Sequence, residues 1–162
     1  MERYCLDTNF FIEGWKYYSP DFCNGYWEII EQLAKEGQLF IPEKVKDEIE
    51  KKHDNIYQWL KGKSFLINPI NTKVQEALKK IYEKEEKHKR LVDSSRNRSE
   101  ADPWVIAHAI SEGATVVTKE NKIINPNTDK IKIPNVCENM GVRWIDDFKF
   151  ICELNIKFVC KR

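Results

Sequence analysis

Apolar residues along the chain fall into five short, nearly unbroken runs. They are "RYCL" at 3–6, "QLFIP" at 38–42, "SFLIN" at 64–68, "ATVVT" at 114–118 and "VRWI" at 142–145. Apolar character on both alternating positions predicts strands covered on two faces, as in a parallel sheet. Longer segments with helical spacing lie between them. "GYWEIIEQLAKEG" sets Trp27, Ile30 and Ala34 on one stripe and stops at Gly37. "PEKVKDEIEKKH" opens with Pro42 as a first-turn residue, and 71–92 reads as one long charged helix with Val74, Leu78 and Ile81 on its apolar stripe. "DPWVIAHAISEG" runs from Asp102 to Gly113, and "DDFKFICELN" forms a last amphipathic run. The stretch 121–135, with Pro126, Pro134 and several Asn, predicts the longest loop. Strands alternating with helices predict a three-layer α/β/α fold with a mostly parallel, five-stranded sheet. No repeat or Gly/Pro/Ser-rich linker divides it, so residues 1–162 are expected to form a single domain.

Composition narrows the function classes only slightly. Of 162 residues, 33% are charged and 41% apolar, with a net charge of +1, so a nucleic-acid partner would have to be held by a local patch. No apolar stretch is long enough to span a bilayer, and the N-terminus lacks a signal-peptide pattern; a cytoplasmic protein with no membrane partner is expected. Cys5, Cys23, Cys137, Cys152 and Cys160 are odd in number and contain no C-x-x-C pair, so they predict reduced thiols rather than a disulfide framework or a zinc knuckle. His53, His88 and His108 are scattered without metal-ligand spacing.

Four acids stand where the chemistry of such a sheet concentrates. Asp7 ends the first strand run and is followed by Thr8 and Asn9, residues that suit a helix cap or a turn as well as a site at the carboxyl edge. Glu48 borders the apolar stripe marked by Val45 and Ile49, and alone would read as a solvated glutamate. Asp102, before Pro103, suits an N-cap, and Ser99 with Asp102 resembles a capping box. Glu120 follows "ATVVT", where Thr118 suits either a strand cap or a hydroxyl partner for a carboxylate. Brought to one edge, four carboxylates would repel each other unless hard cations neutralised them. Oxygen ligands without His or Cys suit Mg²⁺ or Mn²⁺, the chemistry of a metal-assisted phosphodiester hydrolase.

"YCLDTNFF", "IPEKVKDEIEKK", "EADPWVIAHAISEGATVVTKEN" and "KIKIPNVCENMGVRWID" together resemble the PIN-domain family over nearly the whole chain. The resemblance implies a Mg²⁺- or Mn²⁺-dependent ribonuclease, in many members the toxin of a toxin–antitoxin pair and a homodimer. It implies that Asp7, Glu48, Asp102 and Glu120 are the catalytic, metal-binding acids. Thr8, Asn9 and Thr118 would orient them. Glu120 departs from the family's usual Asp, and its longer reach implies contact through water.

An RNA substrate must also be gripped. Arg96 and Arg98 lead into Asp102 and are expected to contact phosphate, whereas the Lys-rich helix before them reads as a solvated face. Trp15, Tyr17 and Tyr18 suit base stacking, but core or a dimer face suits them better. An aspartyl phosphotransferase would want an acid at position 9, where Asn9 stands, and a dinucleotide fold would want a Gly-rich turn that is missing. The remaining rival is a PIN-like module that binds nucleic acid or protein without catalysis.

Overall fold

The computed structural model describes residues 1–52, 54–92 and 99–162. Five parallel strands form one sheet in the order β3-β2-β1-β4-β5: β1 (Tyr4–Leu6), β2 (Leu39–Pro42), β3 (Ile67–Asn68), β4 (Thr115–Val117) and β5 (Trp144–Ile145). All five expected strands are present. Among the described residues the helices are α1 (Thr8–Tyr17), α2 (Pro20–Lys35), α3 (Glu43–Lys52), α4 (Asn55–Leu60), α5 (Thr72–Lys84), α6 (Asp102–Glu112), α7 (Ile133–Asn139) and α8 (Asp147–Glu153). This is the PIN-like three-layer α/β/α arrangement.

β1 shows why its run is apolar on both alternating positions. Successive side chains of a strand leave opposite faces of the sheet. Tyr4 meets the Phe150 ring of α8 edge-on at 5.0 Å, and Phe150 meets Phe10 of α1 at 5.6 Å. Cys5 leaves the other face, where its thiol donates to the Val105 carbonyl of α6 at 3.5 Å. Both faces are therefore covered, and β1, β2 and β4 hold at three or four residues because each of their side chains is buried. The Trp27 side chain, 1% exposed, anchors the N-terminal helices: it packs on Phe11, Trp15 and Trp59 and donates from its indole to the Tyr18 carbonyl. Gly14 of α1 faces the Trp27 ring: a Cβ there would meet it at 3.4 Å, van der Waals contact.

Several local expectations are corrected. Pro42 closes β2 instead of opening α3. The stretch 71–92 is not one helix, because Glu85 adopts an extended conformation (φ −157°, ψ 130°) and a 3₁₀ segment, Glu86–Leu91, follows. The break frees the Ile81 carbonyl, and the buried His88 supplies its partner through Nδ1 at 2.7 Å. His88 Nε2 meets the Asn139 amide at 3.0 Å. The long loop ends early: α7 begins at Ile133 and takes Pro134 into its first turn, where a missing N–H costs nothing. Asn135 clamps the loop from inside that helix, donating to the Ile123 carbonyl and accepting from the Ile123 N–H. Cys5 and Cys137 are buried thiols pushed up by desolvation, and all five cysteines are free. No described helix is long and apolar enough to cross a membrane.

Candidate active site

The sheet changes direction at β1. Connections run outward through β2 and β3, then return so that β4 pairs with β1 on its other side. A crevice opens beyond the carboxyl ends of strands at such a reversal. The residues directly beyond those ends are Asp7 after β1 and Thr118 after β4, aligned by the pairing of Leu6 with Val117. A cleft of about 700 Å³ lies here, lined by Asp7, Thr8, Asn9, Glu48, Asp102 and Glu120 among others. The four acids and two of the three polar residues expected from sequence thus share one cavity. Thr118, the third, is wholly buried beneath it.

Each acid is held differently. Asp7 caps α1 through Oδ1, which accepts from the Thr8 N–H at 2.7 Å, and its Oδ2 accepts the Thr118 hydroxyl at 2.9 Å. The cap and the site are therefore the same carboxylate. Thr118 Oγ1 in turn accepts from the Glu120 N–H at 3.2 Å and meets the Asn9 amide at 3.4 Å, and Asn9 Oδ1 accepts from the Lys119 N–H at 2.8 Å. This network ties the turn after β4 to the start of α1. Glu48, half-buried on α3, accepts from the Thr8 hydroxyl at 2.6 Å, the Ser99 hydroxyl at 2.5 Å and the Ala101 N–H at 3.2 Å. Glu48 is not a solvated glutamate: it joins the starts of α1 and α6.

The capping box expected of Ser99 and Asp102 is absent. Asp102 is the first residue of α6, Ala101 occupies the flanking position, and no side chain caps the helix there. Ser99 donates to Glu48 and also hydrogen-bonds the Asp102 side chain, which lines the cleft with no capping duty. Glu120 accepts the Ile133 N–H at 2.9 Å and so receives the first turn of α7. One of its oxygens is committed to that contact.

Electrostatics single out Asp7 and Asp102, which are 2% and 8% exposed. Burial first, then the Glu120 carboxylate, raises Asp7 from the usual 3.8 to about 7, against the pull of the Thr118 and Thr8 hydrogen bonds. Burial first, then Asp7 and Glu120, raises Asp102 to about 9. Two buried carboxylates whose ionisation is opposed by burial and by neighbouring acids, with oxygen atoms around them, form a donor set suited to a hard divalent cation. Among the described residues no three His, Cys, Asp or Glu side chains stand grouped as a ready-made cage. The hydrogen bonds of Glu48 and Glu120 hold those two against the walls, and Asp7 and Asp102 remain as the inner pair.

The cleft also has basic residues that the sequence reading passed over: Lys51, Lys52 and Lys132 line it. Lys51 and Lys52 stand three and four residues after Glu48 on α3, and that helical spacing was the available signal. Lys132 carried none, because it reaches the cleft only through the docking of α7. Arg96 and Arg98, expected to grip phosphate, lie outside the described residues. Of the N-terminal aromatics, Trp15 and Tyr18 belong to packed ring clusters, while Tyr17 is 55% exposed.

Solved structures share this fold over nearly their whole length. VapBC2 from Rickettsia felis, bound to a DNA fragment from their promoter, matches at 20% identity and a TM-score of 0.52, covering 88% of this chain and 97% of that one. FitAcB from Neisseria gonorrhoeae matches at 13% identity and a TM-score of 0.55, covering 88% and 96%. DNA-bound VapBC from Salmonella typhimurium matches at 19% identity and a TM-score of 0.51, covering 90% and 98%. At these identities the likeness is one of fold. No curated protein matches the chain in sequence. One family model does match, from residue 4 to residue 158, and that span takes in every element from β1 to α8: the chain belongs to the family described as a domain of unknown function (DUF4411).

Proposed function

We propose that this chain is a metal-dependent ribonuclease that hydrolyses phosphodiester bonds of single-stranded RNA at the cleft beyond β1 and β4. The observation that carries the reading is the inner pair, Asp7 and Asp102, both buried at the cleft and both raised in proton affinity by burial and by neighbouring carboxylates, Glu120 acting on both and Asp7 on Asp102. A fold stores such repulsion at a cost, and a Mg²⁺ or Mn²⁺ ion would relieve it. Asp7 and Asp102 would hold the ion directly, and Glu48 and Glu120 from the walls; when bound, it supplies a water of lowered pKa and charge stabilisation at the phosphate oxygens.

The chain's own residues do the rest. The Thr118 hydroxyl and the Thr8 N–H fix Asp7 by one bond to each oxygen, so its carboxylate plane cannot rotate. Thr8, Ser99 and the Ala101 N–H fix Glu48, which keeps α3 and α6 at a constant separation across the cleft. Lys51, Lys52 and Lys132 place positive charge at the rim, where a phosphate backbone would be drawn toward an otherwise acidic interior. Arg96 and Arg98 would extend this grip.

The toxin part of the proposal extends the fold likeness to VapBC and FitAcB to this chain. It includes a cognate antitoxin protein as partner, a homodimer as the assembly, the cytoplasm as the compartment and residues 1–162 as one domain. One observation favours the rival, a module that binds without catalysis: Asp7, Glu48 and Glu120 are each engaged by hydrogen bonds from the protein itself. Cleavage of single-stranded RNA with Mg²⁺ or Mn²⁺, abolished by EDTA and restored by excess metal, supports the enzyme. RNA binding with no metal-dependent cleavage would leave the rival in place.

A further inference from the structure

Tyr17 is anomalous among the aromatics of its region. Trp15 lies 4.8 Å from the Trp27 ring and Tyr18 stacks on Phe158 at 5.5 Å, yet the ring between them in sequence is 55% exposed. Phe148, in the first turn of α8, is 62% exposed. The two share a neighbour: the Lys119 ammonium lies 4.7 Å from the centre of Phe148 and 5.8 Å from that of Tyr17. Asp147 holds that ammonium at 2.7 Å, and the Tyr18 hydroxyl braces Asp147 at 3.3 Å, so the cation between the rings is tethered. A second ammonium, Lys16, sits 5.4 Å from the Tyr17 ring, and among the described residues no carboxylate pairs with it.

This patch is tied to the cleft through the backbone of the turn after β4. Lys119 stands between Thr118, which donates to Asp7, and Glu120, which lines the cavity; its backbone N–H is bound by Asn9. A strand whose phosphate reached the acids would pass its flanking nucleotides across Lys119 or the opposite rim.

We propose that Tyr17 and Phe148 form a stacking platform for unpaired bases of the RNA strand that enters the cleft, an inference that rests on the ribonuclease reading. Every base has a π-face, so two exposed rings bind single strands with little regard to sequence. Lys16 supplies a charge that a phosphate can answer. An apolar protein surface laid over the same rings would bury that ammonium without a counter-ion, which disfavours a protein as occupant.

The test is fluorescence anisotropy with two oligoribonucleotides of equal length, one carrying bases and one with abasic sites across its middle. The wild type should prefer the base-bearing strand. Tyr17→Ala and Phe148→Ala should each weaken that strand by roughly 5- to 100-fold while leaving the abasic strand unchanged. Tyr17→Trp and Phe148→Tyr should restore the preference, which a merely structural role would not require, and both rings are exposed enough for the alanine variants to keep the wild-type melting temperature. A wild type that binds and cleaves RNA while the alanine variants match it on both strands overturns the platform alone. A wild type that binds neither strand overturns the ribonuclease reading and the platform with it.

Discussion

Replacing Asp102 with Asn should make the metal-free protein more stable, an outcome opposite to that of most buried substitutions. Asp102 ionises at about 9 in the fold against 3.8 ordinarily. At pH 7 the unfolded chain carries this group ionised, whereas the fold holds it protonated. The linkage cost is about 4 kcal/mol, because about three pH units at ~1.4 kcal/mol each separate 3.8 from 7. Asparagine removes that cost but buries an amide that is incompletely paired, a loss of about 1–3 kcal/mol. The net gain is then about 1–3 kcal/mol, which for a chain of this length is a rise in Tm of roughly 3–10 °C. The pH dependence carries the sign. A carboxylate with a raised pKa leaves its full stability in place below 3.8 and surrenders it progressively up to about 9, so the variant's advantage should be largest near pH 9, fall to zero at about pH 4.5–6 where the linkage cost equals that of the amide, and turn into a deficit near pH 4. Thermal unfolding in EDTA across pH 4–9 measures this directly. Added Mn²⁺ should reverse the order, because an ion at one hundred times its Kd stabilises the wild type by about 2.7 kcal/mol and the variant lacks a ligand. A variant less stable than the wild type at pH 8 in EDTA would refute the argument, as would a difference independent of pH.

Thr118→Val removes the hydroxyl that donates to Asp7, and should lower metal affinity or turnover by about 10–100-fold with little change in Tm, as read by Mn²⁺ titration and single-turnover cleavage. Lys51→Ala with Lys52→Ala should weaken RNA binding and flatten the plot of log affinity against log salt by about 0.7 per lost contact, with metal affinity retained. Trp27→Ala should destabilise the fold by about 3–5 kcal/mol by emptying the centre of the N-terminal ring cluster, seen as a lower denaturation midpoint. Ser99→Ala should loosen Glu48, raising the metal concentration needed for cleavage while Asp7 keeps both its hydrogen bonds.

The sequence by itself determined the layers of this protein and the placing of its acids. Strands buried on both faces need apolar residues at consecutive positions, so "RYCL", "LFIP" and "TVV" announced themselves, and a parallel sheet joined by right-handed connections brings their carboxyl ends to one edge. Asp7 was legible because it directly follows such a strand, and Glu120 because it stands in the turn just past "ATVVT". The helix at Thr8–Tyr17 was not, since its stripe of Phe10, Phe11 and Gly14 is completed by Trp27 and Phe150 from distant parts of the chain. Only the tertiary structure decided what each polar residue does. Ser99 reads locally as a cap for α6 and is instead drawn 51 positions back to Glu48; Glu120 reads as a turn residue and receives the N-terminus of α7. Lys132 joins the cleft by the same docking. Burial periodicity is a local property written into neighbouring residues, whereas a hydrogen-bond partner or an opposing charge is chosen by whichever group the packing of remote segments brings within about 3 Å.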